Sequence, residues 1–98
     1  MENNQDVVSI YFIQKLATDD YKIGITNNIH RRLRQIQTGN DNPLVIHSYI
    51  EFPTRNDAKT NEKRIHSLFS NKRKSGEWFH LDETDLDDLA RIYDLLNN

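Results

Sequence analysis

Apolar positions along the chain recur with two different periods, and the switches between them mark out the elements. Val7 to Leu16 is rich in β-branched and aromatic residues and predicts a strand, with Ala17-Thr18-Asp19-Asp20 as a turn. Tyr21 to Ile25 then alternates with period two, so the two segments form a hairpin. Along the first strand Tyr11 shares a face with Val7, Ser9 and Ile13, while Ile10 and Phe12 point the other way. That places Tyr11 in the core or at its edge. Leu44 to Phe52 alternates again and predicts a third strand.

Between and after these strands the period becomes helical. Thr26, Asn27 and Asn28 are candidate N-caps for a helix running to about Thr38, where Gly39 offers a left-handed stop. Its buried stripe is Ile29, Leu33 and Ile36, with Arg32 on the boundary of that stripe. Thr54 with Asp57 resembles a capping box, and a second helix is expected from about Arg55 to Asn71. A basic turn, Asn71 to Gly76, leads into a short extended piece, Glu77 to Leu81. Thr84 is the expected cap of a last amphipathic helix over about 84–97. There Leu86, Leu89, Ala90, Tyr93 and Leu96 make the apolar face of a packing lid and the acids face water. The order of strands and helices is that of a small α/β (α+β) domain, and 98 residues with nine aromatics suit a single domain over 1–98.

Charge changes this picture more than composition does. The net charge is −2, but residues 22–80 carry eleven Lys/Arg against five Asp/Glu, while 81–98 carry six acids against one arginine. A cationic middle therefore sits beside an acidic tail. Arg31, Arg34, Lys63, Lys72, Arg73 and Lys74 are the candidate contacts to a phosphate backbone, and the alternative is an ordinary solvated face. No apolar stretch reaches membrane-spanning length, and Met1 to Asp6 lacks the parts of a secretory signal. Zero cysteines exclude disulfides, thiolate metal sites and cysteine nucleophiles. The expectation is a cytoplasmic (intracellular) protein with no membrane contact and no organic cofactor.

The second helix carries the sharpest chemical signal. Glu62 falls on the stripe Ala58, Ile65, Phe69, where a carboxylate is costly unless paired, protonated or bound to a cation. His66, one turn on, is its nearest partner on that face. One reading is an ion pair that closes the core edge. The other is a metal ligand, since one glutamate with waters and phosphate oxygens suits Mg²⁺ or Mn²⁺. The four histidines lack zinc spacing, and no glycine-rich phosphate loop or serine elbow is present. Trp78 and Phe79 are either core or base-stacking groups.

Ser9-Ile10-Tyr11, Lys22-Ile23-Gly24, Asn28 to Leu33 and Glu62 follow one another in an order that resembles the GIY-YIG nuclease superfamily, across residues 9–81. More narrowly the chain is similar to the branch common in phages and large DNA viruses, with Lys-Ile-Gly as second motif. The run Gln35 to Gly39, the pair Glu62 and His66, and the ending Gly76-Glu77-Trp78-Phe79 belong to that likeness. The resemblance implies a three-stranded antiparallel sheet flanked by helices and a Mg²⁺-dependent (or Mn²⁺-dependent) DNA endonuclease. It also assigns roles. Tyr11 would help deprotonate the attacking water, Arg32 would clamp the scissile phosphate, and Glu62 would hold the metal. Lys22 stands where the family has its second tyrosine, and His66 completes the candidate catalytic set. A catalytically silent nucleic-acid-binding module of the same fold, or a viral protein-interaction factor using the acidic helix, are the alternatives. No separate recognition domain is visible, so sequence selectivity would be poor unless the protein forms a homodimer or borrows a partner.

Overall fold

Alternation in the first strand decides how the layers are built. The computed structural model describes residues 7–96, and within them β1 (Val8–Lys15) is the second of five antiparallel strands. The others are β2 (Asp20–Thr26), β3 (Leu44–Phe52), β4 (Arg73–Ser75) and β5 (Trp78–His80), and the spatial order is β3-β1-β2-β5-β4. Three helices complete the chain: α1 (Ile29–Thr38), α2 (Arg55–Leu68) and α3 (Glu83–Leu96). The stretch 1–6 and the expected helix end at residue 97 lie outside the described residues.

β1 is paired along both edges, and packing from the helices covers both of its faces. Val8, Ile10 and Phe12 join Ile23, Ile50, Ala58, Ile65, Phe69 and Leu89 in the larger core, under α2 and α3. Tyr11 and Ile13 join Leu44 in a smaller core, packed by Ile29, Leu33 and Ile36 of α1 and by Trp78. One-residue steps along β1 thus send side chains to opposite layers, as period-two alternation requires.

The sheet has five strands where three were expected. The basic turn and the extended piece after it pair with each other as β4 and β5, and β5 then pairs with β2 through Tyr21↔Phe79 and Lys22↔Trp78. Burial of Phe79, which has no exposed surface, holds this short hairpin on an edge of β2 that would otherwise be bare. Its tight turn uses Gly76 at φ +56°, a left-handed conformation natural to glycine.

Helix ends show where local signals competed. Asn28 is the N-cap of α1, its side chain accepting from the Arg31 N–H at 3.0 Å. Gly39 closes the helix at φ −97°, so the expected left-handed stop is absent. Instead the Gln37 amide ties the helix end to β3, donating to Asn42 O and accepting from Leu44 N. Thr54 caps α2 through the Asp57 N–H, but α2 ends at Leu68 rather than Asn71, and a 3₁₀ turn over Ser70–Lys72 follows. At α3 the cap is Asp82, not Thr84. Asp82 accepts from the Asp85 N–H, and Asp85 accepts from the Asp82 N–H, both at 2.9 Å. This reciprocal pair accompanies the burial of Asp85, one of the acids expected to face water; of the expected apolar face, Ala90, Tyr93 and Leu96 are exposed, while Ile92 packs on the core beside Leu86 and Leu89.

Candidate functional site

The strand motif places three groups on one face of the sheet. Tyr11 of β1 lies opposite Gly24 of β2, and Lys22, two residues earlier on β2, projects on the same side. A Cβ at Gly24 would sit 2.7 Å from Tyr11 Cζ and 2.9 Å from Glu77 Oε1, closer than such atoms approach. Glycine here makes room for the phenol rather than for a bend in the strand.

Arg32 arrives from α1. The helix lies across this face on Ile29, Leu33 and Ile36, and Arg32 at the margin of that stripe sends Nε to the Tyr11 hydroxyl, donating at 3.3 Å. Tyr11 as an acceptor holds the guanidinium in its charged form, with the Glu77 carboxylate adding to this. Burial raises the Tyr11 pKa above the ordinary phenol value. Arg32 opposes that rise, and the negative charges of Glu77 and Glu62 add to it. The Tyr11 side chain has no exposed surface, so Arg32, Glu77 and their neighbours seal its hydroxyl.

Glu62 and His66 come from α2, which packs against β2 from the other layer. His66 Nε2 is 3.0 Å from the carbonyl of Ile23. A carbonyl only accepts, so Nε2 carries a hydrogen and donates it there, pinning α2 to the strand that bears Lys22 and Gly24. Glu62 Oε2 lies 3.8 Å from the same nitrogen, beyond hydrogen-bonding distance. His66 faces Glu62, and among the described residues no side-chain hydrogen bond reaches its carboxylate. Burial raises the Glu62 pKa, His66 and Lys59 pull it down, and Glu77 pushes it further up. Among the described residues no group of three or more His, Asp or Glu side chains could hold a metal, so any cation here would rely on Glu62 with water and substrate oxygens.

The sequence marks Glu77 only as part of the ending Gly76-Glu77-Trp78-Phe79, yet its charge is felt at Tyr11, Arg32 and Glu62 alike. Its Oε1 is 3.8 Å from Lys22 Nζ. Its backbone carbonyl accepts from the Ile23 N–H at 3.0 Å, fixing the loop beside the second motif. The signal that could have found it is the position of Gly76-Glu77-Trp78-Phe79 just before a strand that pairs with β2 at Lys22. Trp78 belongs to the smaller core, with Lys15 and Lys22 4.8 and 5.5 Å from its ring centroid.

The candidate phosphate-contacting cations separate into two groups. Arg31, Arg34 and Lys63 are exposed. Lys72 is held by Asp85 at 2.9 Å and Asp82 at 3.4 Å, Lys74 by Asp20 at 2.9 Å, and Arg73 donates to the Gly76 carbonyl and lies over the Phe79 ring.

The sequence profile of the T5orf172 domain matches residues 8–94. Neither a curated protein nor a solved structure gives a significant match. No helix among the described residues is long and apolar enough to cross a membrane.

Proposed function

We infer that this chain, which belongs to the T5orf172 domain family of GIY-YIG-like domains, is a divalent-cation-dependent endonuclease module that hydrolyses phosphodiester bonds in DNA. The observation that carries this reading is the contact of Arg32 Nε with the Tyr11 hydroxyl, made between a strand and a helix 21 residues apart. A fixed cation beside a buried phenol, with Lys22 on the same face, is a cradle for one phosphate and for the charge that develops on it. The Lys-Ile-Gly form of the second motif ties the chain to the branch of the superfamily found in phages and large DNA viruses.

Glu62 is the residue that would hold the cation. It is largely withdrawn from water, its carboxyl is destabilised as an anion, and its ion-pair partner among the described residues is a histidine beyond hydrogen-bonding distance. A hard cation such as Mg²⁺ or Mn²⁺ offsets that cost and, when bound, supplies Lewis-acid stabilisation of the phosphoryl oxygens. The chain's own groups do the rest. Arg32 holds a non-bridging oxygen and strengthens its hold as negative charge grows in the transition state. Tyr11, oriented by Arg32, accepts a hydrogen bond from the attacking water and orients its lone pair towards phosphorus. His66 keeps α2, and so Glu62, in register with β2.

The test is incubation of purified protein with supercoiled plasmid and with a four-way DNA junction, in Mg²⁺, in Mn²⁺ and in chelator. Nicking that needs the metal and is lost in Glu62→Ala is the expected result. Intact DNA under all conditions, with retained and salt-sensitive binding, would establish the catalytically silent module instead. One feature favours that second reading: Lys22, paired with Glu77, stands where a second phenol would be.

A further inference from the structure

We propose that Glu77 is an internal stand-in for the scissile phosphate, occupying the cradle in the free protein and leaving it when a phosphodiester enters. The proposal rests on the reading of the Tyr11–Arg32–Lys22 face as a phosphate site. It adds a residue that sets how tightly that site takes its substrate.

Position is the first argument. Glu77 Oε1 and the Tyr11 hydroxyl converge over the same glycine, Gly24, each in contact with the point where its side chain would begin. The carboxylate is 3.8 Å from Lys22 Nζ and favours the charged state of Arg32. An anion facing two fixed cations and a buried phenol has the surroundings that a phosphate oxygen would have.

Anchoring and freedom are the second. The backbone of Glu77 is fixed, because its carbonyl accepts from Ile23 N–H. Its side chain is 39% exposed, whereas that of Lys22 is 16% exposed. A carboxylate on a fixed backbone, at the open side of the cradle, can rotate into solvent without disturbing the sheet. While it is in place Lys22 faces a negative charge. It also covers the Tyr11 hydroxyl, which has no exposed surface. Displacement exposes that hydroxyl at the moment a phosphate arrives.

The third argument is the cost of leaving it in place. A phosphate bound beside Lys22 would add a second negative charge next to the Glu77 carboxylate, which lies 3.8 Å from Lys22 Nζ. Substrate and Glu77 therefore compete for Lys22 and Arg32.

The measurement is binding of a short fluorescein-labelled duplex, in chelator, so that no cleavage intervenes. Glu77→Gln keeps the shape and removes the charge, and about three- to tenfold tighter binding is expected. Asp87→Asn, an exposed acid on α3 that changes net charge equally, is expected to change binding less than about twofold. The gain from Glu77→Gln should vanish when Lys22→Ala or Arg32→Ala is added. In parallel, inorganic phosphate is titrated while the Arg32 Nε–Hε resonance is followed. Glu77→Gln should respond at phosphate concentrations that leave the wild type unmoved. Equal gains in Glu77→Gln and Asp87→Asn, or a gain that survives removal of both cations, overturns the proposal. So does loss of Mn²⁺ binding, measured with the metal alone, in Glu77→Gln, because the carboxylate would then be a ligand. If no form binds DNA, the endonuclease reading falls, and the phosphate titration alone decides whether Glu77 occupies an anion site.

Discussion

Gly24 lies directly beneath the Tyr11 phenol, and the strand pairing that puts them opposite each other is what brings the hydroxyl to the site. A methyl group at Gly24 would meet Tyr11 Cζ and Glu77 Oε1 below 3.0 Å. The Glu77 carboxylate can turn aside, but the Tyr11 ring, packed in the smaller core, cannot. Gly24→Ala should cost about 1–3 kcal/mol of stability through overpacking. A thermal melt measures this, and a plasmid assay should show cleavage lost beyond what the melt explains.

Tyr11→Phe separates packing from chemistry. The ring stays in the core between β1 and α1, and only the oxygen that accepts from Arg32 is removed. Cleavage should fall by about 10²-fold, the scale of misplacing an attacking group. Arg32→Ala should cost about 10²–10³ through loss of charge stabilisation. Because the two groups share one hydrogen bond, the double variant should lose much less than the product of the single losses. Initial nicking rates at saturating metal check all three. Full additivity would show that the two side chains act independently.

For Glu62 the sign of a pH effect distinguishes a cation site from a structural ion pair. Its pKa is raised, chiefly by burial, so the folded state favours the protonated form. That contribution to stability is present below the unfolded carboxyl value and is lost as pH rises through the folded one. At neutral pH the ionised Glu62 is therefore a liability to the metal-free fold. Glu62→Gln should raise the melting temperature at pH 7 in chelator, with the gain shrinking towards pH 4. Mn²⁺ should stabilise the wild type and not the variant. A lower melting temperature for the variant at pH 7 would mean that the pairing with His66 outweighs burial.

Strand alternation and the N-caps of the first two helices were legible in the sequence because they rest on neighbours in the chain. β3 matches its expected span, Asn28 and Thr54 cap their helices, and the opposite facing of Tyr11 and Phe12 follows from period two alone. The hairpin of β4 and β5 was not legible. Arg73 to Ser75 is polar and exposed, with no alternation to reveal a strand, and its pairing depends on Phe79 being buried against residues distant in the chain. Glu77 was missed for a related reason: an acid in a short loop carries no pattern, and only its closeness to Gly24 and Lys22 gives it meaning. Asp85 looked like one more solvated acid, and its burial comes from Lys72 and the reciprocal cap with Asp82.

That cap makes α3 sensitive to acid. The Asp85 N–H is the main cause that lowers the Asp82 carboxyl below its ordinary value, with Lys72 assisting. A lowered pKa contributes stability that is present above the unfolded carboxyl value and lost as pH falls through the folded one. Below about pH 4 the first turn of α3 should fray before the sheet does. Amide exchange at Asp85 and Leu86, whose N–H groups bond to Asp82, should rise there while Ile10 and Ile23 stay protected. Asp82→Ala should bring the same fraying at neutral pH. Simultaneous loss of protection in strand and helix would show that α3 is not a separate unit.

Salt dependence can tell cations with no ion pair among the described residues from those already paired. Each phosphate contact neutralised by a lysine or arginine releases a counterion, so the slope of log affinity against log salt counts contacts. Arg31 and Arg34 are exposed on the helix that carries Arg32, and removing either should weaken binding and lower the slope by about one. Lys72 and Lys74 already face Asp82, Asp85 and Asp20, so a phosphate would have to compete with carboxylates 2.9 Å away. Replacing them should leave the slope nearly unchanged and lower the melting temperature instead, since Asp85 would lose the partner that accompanies its burial. Fluorescence anisotropy over a range of salt concentrations measures the slopes. A drop of about one for Lys72→Ala or Lys74→Ala would mean that those ion pairs open to DNA, and the basic turn would then be part of the interface.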